Sequence, residues 1–211
     1  TNLARLYDHS PSGSPTNARV ADGVDGQLQI KLSSDDERQF VGYDWGDQVI
    51  IPATKRVVFE AIIEFVTLPG ANERIWFGLG TELAGILALQ QDIELLSRRL
   101  GFSVDADGVL EIESDDGTTD HDDETPQNES VTLVAGTQYL FRMDLTDTSR
   151  VSYQIADGDG DHLREIGYLD AGELAASDKL QPLCYVQKDS GAGVPEVLVD
   201  MLYCGWDRSN K

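Results

Sequence analysis

The chain has 211 residues, with 16 Lys and Arg set against 38 Asp and Glu for a formal net charge of −22. Apolar residues make up 40%, enough to bury a core in one domain or two small ones and too many for a fully disordered chain. A surface this acidic repels phosphate backbones and anionic lipid, which argues against nucleic-acid and membrane-surface partners.

Residues 1–26 read as an irregular arm. Ser10-Pro11-Ser12-Gly13-Ser14-Pro15 is linker chemistry, and Asp22-Gly23 and Asp25-Gly26 are turn signals. Such an arm would lie in solvent or along a neighbouring subunit, leaving residues 27–211 as the domain proper. There, Leu28, Ile30 and Leu32 share one face of a strand, and Val49, Ile50 and Ile51 mark another. The clearest strand is Arg56 to Leu68: Val57, Phe59, Ala61, Ile63 and Phe65 form one apolar face, and the other is mixed. Pro69-Gly70 ends it, and Arg74 to Gly80 reads as its hairpin partner. Within this region the longest apolar stretch, Val57 to Val66, is broken by Glu60 and Glu64, short of the roughly 18–20 apolar residues of a membrane span.

Glu82 to Leu100 departs from the two-residue period. Leu83, Ile86, Leu87, Ile93, Leu96 and Leu100 recur near helical spacing, Arg98 and Arg99 suit a last turn, and Gly101 suits a stop, so one helix is expected. Between Leu100 and Phe141 there are 11 acids and no Lys or Arg. The run through Asp115-Asp116 and Asp120-His121-Asp122-Asp123-Glu124 is expected to be a solvated loop, since burial would need cations that are not nearby in sequence. Gln138 to Thr146 and Val151 to Ile155 alternate around an Asp147-Thr148-Ser149 turn as a meander, and strands follow at Leu183 to Lys188 and Glu196 to Trp206.

Asp accounts for 25 of the 38 acids, and Arg outnumbers Lys by 11 to 5. Asp-rich turns account for this, with a high-salt source as the other reading. Thr1 to Arg5 show no secretory signal, and a first residue of Thr implies a lost initiator Met or propeptide. Cys184 and Cys204 lie in apolar strand-like runs and are expected as buried free thiols.

Few constellations carry chemistry. Glu111, Glu113 and Asp115 share a face on a strand, as in glycosidases whose nucleophile and acid/base stand about 5 Å apart. Their spacing resembles the Glu-x-Asp-x-Glu strand of β-glucanases with a concanavalin-like fold, but the middle and last residues depart from it and no sugar-stacking aromatic flanks it. An exposed acidic hairpin edge is the expectation. Asp157-Gly158-Asp159-Gly160-Asp161 alternates oxygen ligands as a calcium loop does, which makes Asp157, Asp159 and Asp161 the candidate metal ligands. His162 and Tyr168 stand where an EF-hand needs Gly and Glu, and Asp105-Ala106-Asp107-Gly108 fails similarly at Val109. Both are expected as hairpin tips, with no cofactor beyond a weak Ca2+ site. His9, His121 and His162 form no zinc pattern, no nucleophile elbow or phosphate loop occurs, and Trp45, Trp76 and Trp206 define no sugar platform. No enzyme and no catalytic residue are expected.

From about Val57 to Asp207 the chain resembles the concanavalin A-like lectin/glucanase jelly roll, in particular the versions that serve as virion structural proteins of tailed bacteriophages. The resemblance is carried by Phe59-Glu60-Ala61, Ile75 to Gly80, Leu100-Gly101-Phe102 with its Asp-Gly hairpin, Gly136 to Arg142, and Leu180 to Lys188 followed by Val197 to Asp200. It implies an all-β fold, an antiparallel β-sandwich with a concave face, to which the helix would be an insertion. It also implies a capsid decoration or cement protein on the head of a tailed virus. Such a protein is made in the host cytoplasm and resides in the virion, as a homo-oligomer such as a trimer bound to the major capsid protein. The alternative is a carbohydrate-binding module of a tail or fibre adhesin reading host glycans, which requires aromatics such as Tyr153, Tyr185 or Trp206 on the concave face. A glycoside hydrolase using Glu111 and Asp115 is the third reading.

Overall fold

The computed structural model describes residues 5–9, 16–19, 26–46, 51–53, 55–81, 96, 98–115, 120–145, 150–157, 162–170 and 178–206. Its strands in chain order are β1 (Arg5–His9), β2 (Thr16–Arg19), β3 (Leu28–Lys31), β4 (Gln39–Asp44), β5 (Ile51–Pro52) and β6 (Val57–Thr67). They continue with β7 (Glu73–Gly80), β8 (Arg99–Val104), β9 (Val109–Asp115), β10 (Asp120–Glu124), β11 (Val131–Thr132) and β12 (Thr137–Asp144). The last four are β13 (Arg150–Asp157), β14 (Arg164–Asp170), β15 (Lys179–Lys188) and β16 (Glu196–Trp206).

These strands form two antiparallel sheets packed as a sandwich. Sheet I runs β1-β4-β15-β7-β8-β9-β10, with β11 also on β9 and β5 on β15; sheet II runs β14-β13-β12-β6-β16-β3-β2. The alternation in β6 sets the layering. Its odd residues, Val57 to Phe65, are fully buried and its even residues half-buried, so one face meets the core and the other does not. Between the sheets, aromatic rings interdigitate. Phe141 of sheet II stands 4.6 Å from Phe77 and 5.3 Å from Phe102 of sheet I, and Tyr153 meets Phe102 edge-on at 5.3 Å. Cys184 and Cys204 are buried free thiols in this core, and burial pushes both up to about 12.

The central strands of sheet I are buried on both faces. On its outer side Phe40, Trp76, Leu96, Leu183 and Tyr185 form a second apolar cluster. The two large rings lie on glycines: a Cβ on Gly101 would come within 2.5 Å of the Trp76 indole, and one on Gly42 within 2.2 Å of the Tyr185 ring. Tyr185 stacks on Phe40 at 4.5 Å and donates its hydroxyl to Asp44 at 2.6 Å. Strands covered on both sides read as nearly continuous buried runs, as β7, β8 and β15 do.

Four expectations change. Residues 1–26 are not wholly an irregular arm, because β1 adds an edge strand to sheet I and β2 one to sheet II; the backbone of each finds its partners on this chain. The expected helix falls mostly outside the described residues, but Arg99 and Leu100 begin β8, where Leu100 faces the core and Arg99 the buried outer cluster. β7 is not the hairpin partner of β6: both flanks of β6 are taken by β12 and β16, and β7 crosses to pair with β8 and β15 in sheet I. The acidic run over 120–124 is an edge strand, whose backbone bonds to β9 while Glu124 stays in solvent.

Phe141 touches rings from both sheets, so Phe141→Ala is expected to destabilise the fold by about 3–5 kcal/mol. Val134→Ala, at a position 59% exposed, should stay within about 0.5 kcal/mol of wild type. Urea unfolding monitored by circular dichroism checks both.

Candidate binding face

The three β9 carboxylates do share one face, the outer side of sheet I, but they are not an exposed edge. β10 and β11 pair along β9, Glu113 is fully buried and Asp115 nearly so. Trp76 Nε1 donates to Glu113 Oε2 at 2.8 Å, and Arg99 Nε donates to the same oxygen at 3.2 Å. Arg99 Nη1 reaches Asp115 at 3.1 Å and the Leu96 carbonyl at 3.2 Å. Ser103 Oγ points to Glu111 at 3.4 Å, which leaves Glu113 Oε1 without a well-directed partner. One guanidinium thus serves two buried carboxylates. Burial pushes the Glu113 pKa up, and Arg99 opposes it most. Within this cluster Glu113 and Asp115 are committed to Arg99 rather than presented to a substrate.

Asp157 ends β13 with its carboxylate exposed, 3.9 Å from the Arg164 guanidinium, while Asp159 and Asp161 lie outside the described residues. Asp105 is engaged by Arg74 at 2.9 Å, in a turn closed by Gly108 in the left-handed region (φ +72°). No group of three or more His, Cys, Asp or Glu able to hold a metal occurs among the described residues.

The outer face of sheet II is open. Its register lines up Tyr203, Glu60, Arg142, Gln154 and Glu165 as one row across five strands. The next row holds Gly205, Val58, Asp144, Ser152 and Tyr168. Arg142 donates to Glu60 at 3.2 Å and to Asp144 at 3.0 Å. At the far end Glu165 accepts from Ser152 at 2.6 Å, from Arg150 at 2.7 Å and from Asn128 at 3.4 Å. The Ser152 hydroxyl and the Arg150 guanidinium hold Glu165 below the usual carboxylate range.

A tyrosine stands at each end of this polar strip. Tyr203 is 50% exposed and Tyr168 44%. Tyr203 reaches along its own strand, so that a Cβ on Gly205 would meet its hydroxyl at 2.3 Å. Tyr168 carries the Arg150 guanidinium over its ring at 4.7 Å. With strands about 4.8 Å apart, β16 and β14 are separated by about 19 Å. Of the aromatics expected on a binding face, Tyr153 is in the core, Tyr185 lies in the covered layer of sheet I, and Trp206 packs half-buried against the core. Among the described residues, Tyr203 and Tyr168 are the aromatics that stand most in solvent.

No protein-family model and no curated protein matches the chain. Solved structures do resemble it. A protein of unknown function from Shewanella oneidensis MR-1 superposes with a TM-score of 0.61 at 12% identity, covering 100% of this chain and 82% of that one. The Lotus tetragonolobus seed lectin gives 0.58 at 10% identity, over 99% and 95%. A β-1,3-glucanase from Mycobacterium marinum gives 0.54 at 12% identity, over 97% and 91%. The fold is therefore the concanavalin A-like jelly roll, an architecture shared by sugar-binding lectins and by polysaccharide-cleaving enzymes.

The Glu113 cluster makes stability depend on pH. A carboxyl whose pKa rises on folding keeps its proton where the unfolded chain has lost it. Its contribution is intact below the ordinary value of 4.5 and is lost as pH rises through the folded value. Glu113→Gln retains an acceptor for Trp76 and Arg99 but cannot ionise. As pH rises above the ordinary value of 4.5, wild type should therefore lose stability relative to this variant, measured by urea titrations at each pH; parallel profiles would refute a raised pKa.

Proposed function

We propose that this is a non-catalytic carbohydrate-binding protein whose recognition surface is the open face of sheet II. The observation that carries this reading is the pair of half-exposed tyrosines bracketing a row of fixed donors and acceptors. A sugar ring presents apolar C–H groups to an aromatic face and hydroxyls to charged and amide side chains, and such sites combine both kinds of contact. The Arg142 and Arg150 ion pairs hold their carboxylates in place before a ligand arrives, which lowers the ordering cost of binding. The spread of the strip suits an extended glycan over a single sugar. At a net charge of −22 the protein repels polyanions, so the ligand class is a neutral glycan. The lectins among the structural relatives support the reading at the level of fold. The absence of catalysis is proposed because Glu113 and Asp115 are bound to Arg99 in a covered layer.

A second reading, a decoration protein docked on a viral shell, is favoured by one observation on the same face. Met201, Ile62 and Leu140 form a half-buried apolar row beside the polar one, of the kind that a protein partner would cover. In that reading the partners would be a major capsid protein and further copies of this chain, and the location a virion.

A neutral-glycan array followed by calorimetry separates the two. Tyr203→Ala should lower affinity for the selected glycan about tenfold or more, equivalent to about 1.4 kcal/mol, with an unchanged melting temperature. Gly205→Val, which displaces the tyrosine without removing it, should act in the same direction. Wild-type protein that binds no glycan on the array would remove the carbohydrate reading.

A further inference from the structure

At the end of β15 a lysine does what a bound metal often does. Lys188 is 1% exposed, and its ammonium lies within hydrogen-bond reach of four backbone carbonyls. These are Ser33 at 2.6 Å, Asp35 at 2.7 Å, Gly191 at 2.9 Å and Gly193 at 3.3 Å. The first two belong to the β3–β4 connection and the last two to the β15–β16 connection, so one cation ties together loops far apart in sequence. An ammonium has three donors, and four oxygens compete for them.

The surroundings are built for positive charge. Burial lowers the Lys188 pKa, and Glu73, Asp35, Glu37 and Asp36 oppose it in that order. Asp36 also accepts from the Gly191 amide at 2.5 Å, and Arg38 pairs with Asp189 at 2.9 Å, so the two loops are held from both sides. The Ser33 amide donates to Gln39 at 2.9 Å, which fixes the first carbonyl's loop against β4. Gly191 adopts φ +91°, a left-handed conformation in which its carbonyl can turn inward. Convergent carbonyl oxygens within a ring of carboxylates are the chemistry of a monovalent-cation site.

We propose that the Lys188 ammonium occupies a potassium-type site, and that the same carbonyls take K+ or NH4+ from solution once the side chain is removed. The lysine is thus a tethered replacement for a metal, and it makes the two loops independent of free cations. Their neighbour is a polar cavity of about 260 Å³ lined by Asn72, Glu73, Arg74, Asp105, Gln187 and Asp189 together with Lys188 itself. The ammonium therefore also fixes one wall of that cavity. This inference is independent of the carbohydrate reading, which concerns the opposite sheet.

The test compares melting temperatures of wild type, Lys188→Ala, Lys188→Ser and Lys188→Met in KCl, NH4Cl, NaCl and choline chloride at equal ionic strength. Wild type should melt alike in KCl, NH4Cl and choline chloride. Lys188→Ala and Lys188→Ser should melt lower in choline and recover most of the loss, saturably, in KCl or NH4Cl; folding only in those two salts supports the proposal equally. Lys188→Met fills the space without charge and should stay low in every salt. Equal losses of the Ala and Ser variants in all four salts, or their failure to fold in any, would overturn it. So would recovery of the Met variant in KCl, which would place the cation elsewhere.

Discussion

The aromatic layer between the sheets is the interaction on which the remaining features depend. Phe77 and Phe102 enter it from one side, and Phe65, Phe141 and Tyr153 from the other. Because these rings interlock, the distance and angle between the sheets are set by shape rather than by backbone bonding, which acts only within each sheet. Tyr153 links this layer to the next: its hydroxyl crosses to the Glu113 carbonyl at 2.9 Å, on the strand that carries the buried carboxylates. The position of Glu113 against Trp76 and Arg99 is thereby coupled to packing in the core.

The two sheets differ in what lies on their outer sides, and that difference leaves sheet II with the more open face. Sheet I carries a second apolar layer, with a charged cluster buried at its margin. A single guanidinium between two carboxylates is a costly arrangement without its full set of partners, and here indole, carbonyl and carboxylate groups surround it. Sheet II has a mixed outer face in which arginines are fixed by acids and tyrosines remain partly in solvent. On a chain so rich in acids, two arginines placed on one face offset two of the three carboxylates there, Glu60, Asp144 and Glu165, so the local excess of negative charge is small.

Much of the scaffold was legible from alternation alone. β6, β12, β13, β15 and β16 lie where their apolar periodicity put them, and β6 ends before Pro69-Gly70 as expected. The hairpin assigned to β6 and β7 failed because adjacency in sequence does not say which sheet a strand joins, and a jelly roll crosses between layers. Tyr203 of the candidate face was missed for a local reason. Val197 and Val199 point inward, but the β16 register shifts between Val199 and Met201, after which Leu202, Cys204 and Trp206 point inward and Tyr203 outward. No two-residue pattern survives such a shift. The covered side of sheet I did leave a trace, in the mid-strand glycines Gly42 and Gly101 over which Tyr185 and Trp76 lie. Lys188 left none, since four main-chain oxygens carry no side-chain signature.

The N-terminal strands have a structural consequence. β2 pairs with β3 at the edge of one sheet while β1 pairs with β4 at the edge of the other. These two N-terminal strands therefore cover one border of each sheet. Loss of both would bare β3 and β4 at once, on the same flank of the sandwich, and give a passing strand of another molecule two adjoining templates for intermolecular pairing.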